Sequence, residues 1–459
     1  MLSSGKLGFW GLTALVFGLV VGVGIYNLPE NMARVASPGA VGLSWLITGA
    51  GILPLVFVFK WLSTHYPQYN AGIYQYAQAG FGNYIGFNIA WGYWLCTAFS
   101  NVAYGVMLND ALGAIFPSLL KHEWETIIFV SILIWVMYAI VARGIQTAKF
   151  INNLLAVLKV VMLLFIISVF VIFFRESLFS LDMWGSNAGL GSITDQIKST
   201  MMVTLFCFFG VEGAVMMSAR AKNSNDVGRA GVAGFLISLV LYLSVVLLCF
   251  GLMSQSNLAS LPNPSIAYIL RDVCGGWAYW TVIGAIIISL LGGWVSWTLV
   301  VAQVPYEAAK VKMLPKVFLR VNKHGMPTFG LISSSVVMMF FIFLVTFADD
   351  IYLAALQITG LMIIPCYFFA GLFMFKISSD WKPRCIAIIT VLFCLWMAYA
   401  GDLKILFMTS VFYLLGIGFY IQARKDWFPK ENHLFSRKEV VIVVGLIIAS
   451  IITIFELFY

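Results

Sequence analysis

Charged residues are scarce in this chain. Asp, Glu, Lys and Arg make up 10% of its 459 residues, against about 25% in an ordinary soluble domain. Hydrophobic residues make up 61%, and they occur in long runs. The composition therefore excludes a soluble globular protein and predicts an all-α protein that crosses a lipid bilayer several times.

Motifs for catalysis, metal binding and disulfides are also missing. The seven cysteines are odd in number, have no CxxC spacing and lie mostly in apolar runs, so we expect free thiols. The four histidines show no metal-ligand spacing, and the chain has no P-loop, no G-x-S-x-G and no dinucleotide-type GxGxxG. We therefore predict no metal, no cofactor and no nucleic-acid partner. A membrane-embedded transferase is disfavoured, because no cluster of acids or histidines lies near a membrane surface.

Thirteen apolar runs predict thirteen membrane spans. They cover residues 7–35, 40–62, 84–116, 126–142, 150–174, 196–218, 230–253, 277–304, 328–347, 351–375, 385–400, 404–422 and 439–458. With a cytoplasmic N-terminus, the inner segments carry twenty Lys and Arg residues and the outer segments six. This positive-inside bias predicts a multi-pass protein of the cytoplasmic membrane with its N-terminus inside, and accounts for the net charge of +8. The last run is the least secure of these, so the number of spans is either twelve or thirteen.

The first span is interrupted at mid-depth. Gly22 and Gly24 fall near its middle and Pro29 follows, and both residue types weaken a helix. We predict two half-helices joined by an unwound Gly22-Val23-Gly24. Irregular backbone at membrane depth is tolerated where it lines a cavity or is buried in protein, whereas glycines that only admit a neighbouring helix are the alternative.

The sixth span repeats this pattern in the opposite orientation. Gly210 and Gly213 interrupt it at mid-depth, with Glu212 between them. Paired interruptions in two inverted halves are the best pointer from sequence to a transporter's binding site. The two breaks therefore predict a transporter whose substrate binds between them.

Two ionisable residues lie deep in predicted spans. Lys159 is far from either end of the fifth span, and Glu212 lies in the break of the sixth. Such groups are costly in hydrocarbon and normally mark a substrate or ion path. For Lys159, a structural cation that ties carbonyls of the broken helices is as good an interpretation as a proton carrier. For Glu212, a cap on the second half-helix is the alternative to a functional acid.

Several stretches together resemble the amino acid–polyamine–organocation superfamily, and within it the basic amino-acid antiporters. The stretches are 18–29, 36–40, 74–82, 90–94, 210–214 with 218–222, and 356–359. The resemblance covers most of residues 7–376. It implies a five-plus-five inverted-repeat core in residues 1–376, with repeats at about 7–175 and 196–376. Residues 377–459 would add two or three C-terminal spans, and a homodimer is possible.

The resemblance also implies a site for an amino acid. Backbone N–H groups near Val23 and Gly24 would bind the substrate carboxylate, as free donors at a half-helix N-terminus do. Carbonyls near Val20, Phe206 and Phe209 would bind its α-ammonium. The side-chain end of the substrate would meet Cys96, Thr97, Asn101, Tyr104, Trp297 and Thr359, with Trp297 as a lid able to make a cation–π contact. Taken alone, Trp297 is better explained by packing or interface anchoring, and for Asn101 a hydrogen bond between helices is the alternative.

Three residues are implied in coupling or gating: Glu212, Lys159 and Tyr93. Lys159 matches a lysine that, in several relatives, stands where sodium binds in sodium-coupled members. The chain departs from the family at Val23, where serine or glycine is usual, at Leu19, and at Phe206, where one exchanger has tryptophan. We expect exchange of cationic amino acids, or of an amino acid for its amine product. The alternatives are a proton-coupled or facilitative importer of neutral amino acids, and a sensor without flux.

Overall fold

Helices account for nearly all regular structure in the computed structural model. It describes residues 8–69, 72–120, 123–144, 146–216, 221–345, 351–401, 403–430 and 434–458. Among these residues the backbone forms no β-strand beyond single bridges. The helices are α1 (Phe9–Val20), α2 (Leu28–Ala33), α3 (Pro38–His65), α4 (Ile73–Phe81), α5 (Asn83–Gly113), α6 (Glu123–Ala142), α7 (Gln146–Ile172), α8 (Glu176–Phe179), α9 (Ile193–Cys207), α10 (Gly213–Met216), α11 (Ser224–Cys249), α12 (Gln255–Ala259), α13 (Ser265–Cys274), α14 (Gly276–Lys310), α15 (Thr328–Val345), α16 (Ile351–Ile377), α17 (Trp381–Ala400), α18 (Leu403–Leu415), α19 (Ile417–Trp427) and α20 (Arg437–Phe458).

Many of these helices are long and apolar enough to span a bilayer. Within the described residues, eight stretches meet this criterion: Pro38–His65, Trp124–Ala142, Asn225–Cys249, Gly276–Lys310, Thr328–Val345, Leu353–Ile377, Trp381–Ala400 and Lys404–Trp427. Two shorter apolar helices, Phe9–Val20 and Leu158–Ile172, accompany them. The predicted all-α, polytopic membrane class is confirmed. The total of thirteen spans stays a prediction.

The first predicted span is broken, and the break starts earlier than the glycines suggest. Helix α1 ends at Val20, Val21 and Gly22 are not helical, and residues 23–26 form a 3₁₀ turn that leads into α2. Val23 and Gly24 therefore lie inside a turn and are not unwound, contrary to the prediction. The break falls earlier because the carbonyls of Val20 and Val21 accept side-chain donors from the distant helices α11 and α7.

The sixth predicted span is also broken. Helix α9 ends at Cys207, and α10 starts at Gly213. Gly210 between them has φ +105°, a conformation that favours glycine. A Cβ atom on Gly210 would lie 3.1 Å from the carbonyl of Leu19. The two breaks are thus in direct contact, as the paired interruptions predict.

Helix α5 lies at the centre of the bundle and is buried along most of its length. It packs against α14 on one side and α16 on another. Two indole N–H groups fix it laterally: Trp91 Nε1 donates to the carbonyl of Phe412 at 2.9 Å, and Trp94 Nε1 donates to Ser334 Oγ at 2.8 Å. Because α5 is fixed on both sides, its inward face is presented to the two breaks.

The carboxylate of Glu439 connects α20 to α5. Glu439, in the first turn of α20, accepts hydrogen bonds from the backbone N–H of Ser436 at 2.7 Å and of Tyr84 at 3.2 Å. The bond to Ser436 caps α20, and the bond to Tyr84 reaches the first turn of α5. Farther along, α20 packs against α18, where the hydroxyls of Ser410 and Ser450 lie 3.1 Å apart.

Candidate functional site

A cavity lies where the two breaks meet. The space that its walls enclose, together with the open solvent at its mouth, is about 440 Å³. The first break contributes Leu19, Val20, Gly22 and Gly24, the second contributes Phe206, Cys207 and Phe209, α5 contributes Ser100, Ala103, Tyr104 and Met107, and α11 and α14 contribute Tyr242 and Trp297. Among these described lining residues none is an acid, a lysine, an arginine or a histidine. The cavity therefore offers carbonyls, hydroxyls and aromatic faces to a ligand.

The carbonyls freed by the first break are held by two long side chains. Tyr242 of α11 donates its hydroxyl to the carbonyl of Val20 at 2.8 Å. Lys159 of α7, buried at mid-helix, donates Nζ to the carbonyl of Val21 at 2.9 Å. Irregular backbone in a bilayer needs such partners. Lys159 therefore has the structural role that was one of its two interpretations, and its possible role as a proton carrier stays a prediction.

Aromatic rings form one wall of the cavity. The rings of Trp297 and Phe209 stack with centroids 5.1 Å apart and planes 18° apart. Tyr104 lies between α14 and the first break, because a Cβ on Gly293 would be 2.9 Å from its ring and a Cβ on Gly22 would be 3.5 Å from its hydroxyl. Negative ring faces attract cations, so this wall suits a guanidinium or ammonium group.

Glu212 lies just behind that wall and is fully buried. Its Oε1 accepts from the hydroxyl of Tyr93 at 2.9 Å, and its Oε2 accepts from the hydroxyl of Tyr367 at 2.9 Å and from the N–H of Gly210 at 3.2 Å. The Tyr93 ring in turn lies 6.3 Å from the ring of Phe209. The acid joins α5, α16 and the second break, and it reaches the cavity wall through Tyr93.

Comparison with known proteins agrees with this geometry. A profile of amino acid permeases matches residues 7–421. The chain belongs to the amino acid permease family. It is similar to the arginine/agmatine antiporter of Chlamydia pneumoniae, with 42% identity over 99% of this chain and 98% of the relative. The arginine/agmatine antiporters of Chlamydia felis and Chlamydia caviae are 40% and 39% identical over 99% of this chain and 98% and 97% of their own lengths.

In this amino acid permease, about half of the predicted substrate-binding residues line the cavity. They are Val20, Gly24, Tyr104, Phe206, Phe209 and Trp297. The backbone of Val23 lies in the 3₁₀ turn, while its side chain lies outside the described part of the structure. The first N–H groups of such a turn have no acceptor within it, which is the arrangement expected for carboxylate binding.

Four predicted residues of the permease lie beside the cavity and do not line it. Cys96 and Thr359 contact each other, because Cys96 Sγ donates to the carbonyl of Thr359 at 3.4 Å. Thr97 Oγ1 bonds the carbonyl of Trp94 at 2.7 Å, and Asn101 Nδ2 bonds the carbonyl of Thr97 at 2.7 Å. Asn101 Oδ1 and Thr359 Oγ1 are buried without a hydrogen-bond partner among the described residues. Their part in substrate binding stays a prediction.

Other lining residues were missed from the sequence. Ser100, Ala103 and Met107 share the face of α5 that carries Tyr104. The signal was available, because positions 100, 103, 104 and 107 follow the helical spacing of one face. Tyr242 gave no such signal, since its contact with Val20 joins residues 222 positions apart.

Proposed function

We propose that this permease exchanges a cationic amino acid for its decarboxylated amine, arginine for agmatine, by alternating access across the cytoplasmic membrane. The observation that carries the proposal is the cavity between the two breaks, with stacked Trp297 and Phe209 as a wall for a cation. The relatives that align along nearly the whole chain are arginine/agmatine antiporters, which supports the same pair of substrates.

The site residues are assigned by the same proposal. Amide groups near Val23 and Gly24 bind the carboxylate, and carbonyls near Val20, Phe206 and Phe209 bind the ammonium. Val20, Phe206 and Phe209 all line the cavity, which supports this assignment. The guanidinium extends along Trp297 toward the α5–α16 interface, where Cys96 and Thr359 meet.

Gating and the division of the chain belong to the proposal as well. Residues 1–376 form the transport core and residues 377–459 add C-terminal helices. Glu212 and Tyr93 link the cavity to α5 and α16, so that occupancy of the cavity affects how these helices pack. The ammonium of Lys159 stands in for a bound metal cation, which makes exchange independent of sodium.

A second candidate is an importer of neutral amino acids on the same fold. The observation in its favour is that none of the described lining residues is an acid. A cationic side chain would then rely on carbonyls and ring faces alone, whereas an apolar side chain would suit the same walls.

The test is uptake into proteoliposomes that contain the purified protein. Vesicles loaded with agmatine, with ornithine, with leucine or with buffer are given labelled arginine or labelled leucine. We expect agmatine inside to accelerate arginine uptake several-fold over empty vesicles, with no change when choline replaces sodium. Equal arginine rates in loaded and empty vesicles would refute exchange. Leucine uptake driven by a proton gradient would support the second candidate instead.

A further inference from the structure

Two buried asparagines follow the first break, and three of their amide atoms lack a hydrogen-bond partner in the described part of the chain. Asn27, between the 3₁₀ turn and α2, is 1% exposed, and Asn31 in α2 is 5% exposed. Neither Nδ2 nor Oδ1 of Asn27, nor Nδ2 of Asn31, has a hydrogen-bond partner among the residues that the structure describes. Buried polar groups are normally paired, so these side chains call for a ligand or for water.

The two asparagines follow the cavity-lining Gly24 along the backbone. The N–H of Asn27 bonds the carbonyl of Gly24 at 3.1 Å, and the N–H of Asn31 bonds the carbonyl of Asn27 at 3.2 Å. Each therefore lies one turn above the last. Gly24 lines the cavity, and Arg34, a further turn on, has a side chain that is 48% exposed. Asn27 and Asn31 thus form a stripe between the cavity-lining Gly24 and Arg34, at the surface that the loop charges predict to be external.

The chemistry of this stripe matches the head group of an amino acid. The two Nδ2 groups are donors, which suit a carboxylate, and Asn27 Oδ1 is an acceptor, which suits an ammonium. The neighbouring charges do not compete for this role, since Glu30 pairs with Arg34 and its N–H bonds Ser265. A decarboxylated amine offers nothing to the two donors.

We propose that Asn27 and Asn31 form an outer station, a second site that holds the carboxylate and ammonium of an amino acid between the external surface and the central cavity. The station is closed in this structure and opens when α2 moves. It favours the amino acid over the amine on the outer side. This inference rests on the proposed exchange and on the predicted orientation.

The test measures the stability of Asn27→Leu and its transport from each side of the membrane. Leucine keeps the volume and removes the amide, and removing an unpaired buried amide does not lower stability. We expect an unchanged or higher melting temperature. In right-side-out membrane vesicles, the KM for arginine should rise about two- to tenfold, as for one lost hydrogen bond. In inside-out vesicles the KM for arginine should stay the same.

The matched control is Asn109→Leu. Asn109 is also 1% exposed, but its Nδ2 has partners, the hydroxyl of Thr126 at 3.2 Å and the carbonyl of Leu119 at 3.4 Å. This variant should lower the melting temperature and leave the KM equal on both sides. If Asn27→Leu fails to fold or loses as much stability as Asn109→Leu, or if its KM rises equally on both sides or on neither, the station does not exist.

A second variant tests the ligand's chemistry without a change of shape. Asn27→Asp puts a carboxylate in the station, which repels an amino acid's carboxylate and attracts an amine. In right-side-out vesicles, we expect the ratio of the KM for arginine to the KM for agmatine to rise. A ratio that stays the same or falls would overturn the assignment. A failure of the unaltered protein to exchange arginine for agmatine would instead refute the proposed function.

Discussion

Glu212 connects the second break to two neighbouring helices. Its bond from the N–H of Gly210 holds the backbone between α9 and α10, while its bonds from Tyr93 and Tyr367 hold two neighbouring helices. A group that ties three elements at a break affects any motion that separates them. We therefore expect its substitution to change transport without loss of the fold.

The test at this residue is Glu212→Gln. Glutamine keeps the shape, but its NH₂ cannot accept a hydrogen bond. We expect about tenfold weaker binding of arginine, because loss of a bond that holds Tyr93 or Tyr367, worth about 1.5–3 kcal/mol, loosens the wall behind Phe209. We also expect a flatter pH profile, since an amide does not titrate. Binding can be measured by calorimetry and exchange as uptake between pH 5 and 8.

The control for this substitution is Glu176→Gln, at an exposed position in α8, which should behave like the unaltered protein. If Glu212→Gln binds arginine with unchanged affinity and keeps the pH profile, the acid is only a helix cap.

The sequence predicted residues that stand out from their immediate neighbours, and it missed residues that matter only through contacts with distant parts of the chain. Glu212 and Lys159 stand out because a charge in an apolar run has few explanations. Their partners Tyr367 and Tyr242 do not stand out, because a tyrosine in a membrane helix is common and its contact lies far along the chain. Contacts between distant residues depend on how the helices pack, and no pattern in a single sequence reveals that packing.

At the scale of elements, both breaks were predicted from glycines, but their bounds were not. Gly210 is required, because its φ is +105° and it meets the backbone of Leu19. Gly24, by contrast, lies in a regular 3₁₀ turn. The unwound residues are set by the donors Tyr242 and Lys159, which a glycine count does not reveal.

The prediction for these elements is that Gly210→Ala separates the breaks. A non-glycine residue at that φ costs about 1–2 kcal/mol, and the contact with Leu19 adds to the cost. We expect a lower melting temperature in detergent and slower exchange.

Gly18→Ala is the matched control. Gly18 is inside α1 and a Cβ there meets nothing within 4 Å, so alanine should stabilise by about 0.5–1 kcal/mol. If both variants melt alike, close contact between the breaks is not needed.

At the scale of the whole molecule, the charges of the loops predict the orientation. Cys385 is an exposed cysteine near the start of α17. It lies beside Lys382 and Arg384, and this end of the helix is predicted to be cytoplasmic. A membrane-impermeant maleimide should therefore label Cys385 in inside-out vesicles and not in sealed right-side-out vesicles.

Cys385→Ser should remove that label, which identifies the site. Cys274 is partly exposed at the end that is predicted to be external, and it should react from the opposite side. Labelling of Cys385 from outside would invert the proposed orientation and, with it, the placement of the outer station.

The absence of acids and bases from the described lining of the cavity has an electrical consequence. With no fixed charge on that wall, the charge that crosses with the cavity is that of the substrate. Arginine carries one net positive charge and agmatine two. Arginine entry in exchange for agmatine exit therefore moves one positive charge outward per cycle, and a membrane potential of 100 mV, negative inside, opposes it by about 2.3 kcal/mol. The voltage of the cell, together with the two concentration ratios, sets the direction in which such a carrier runs.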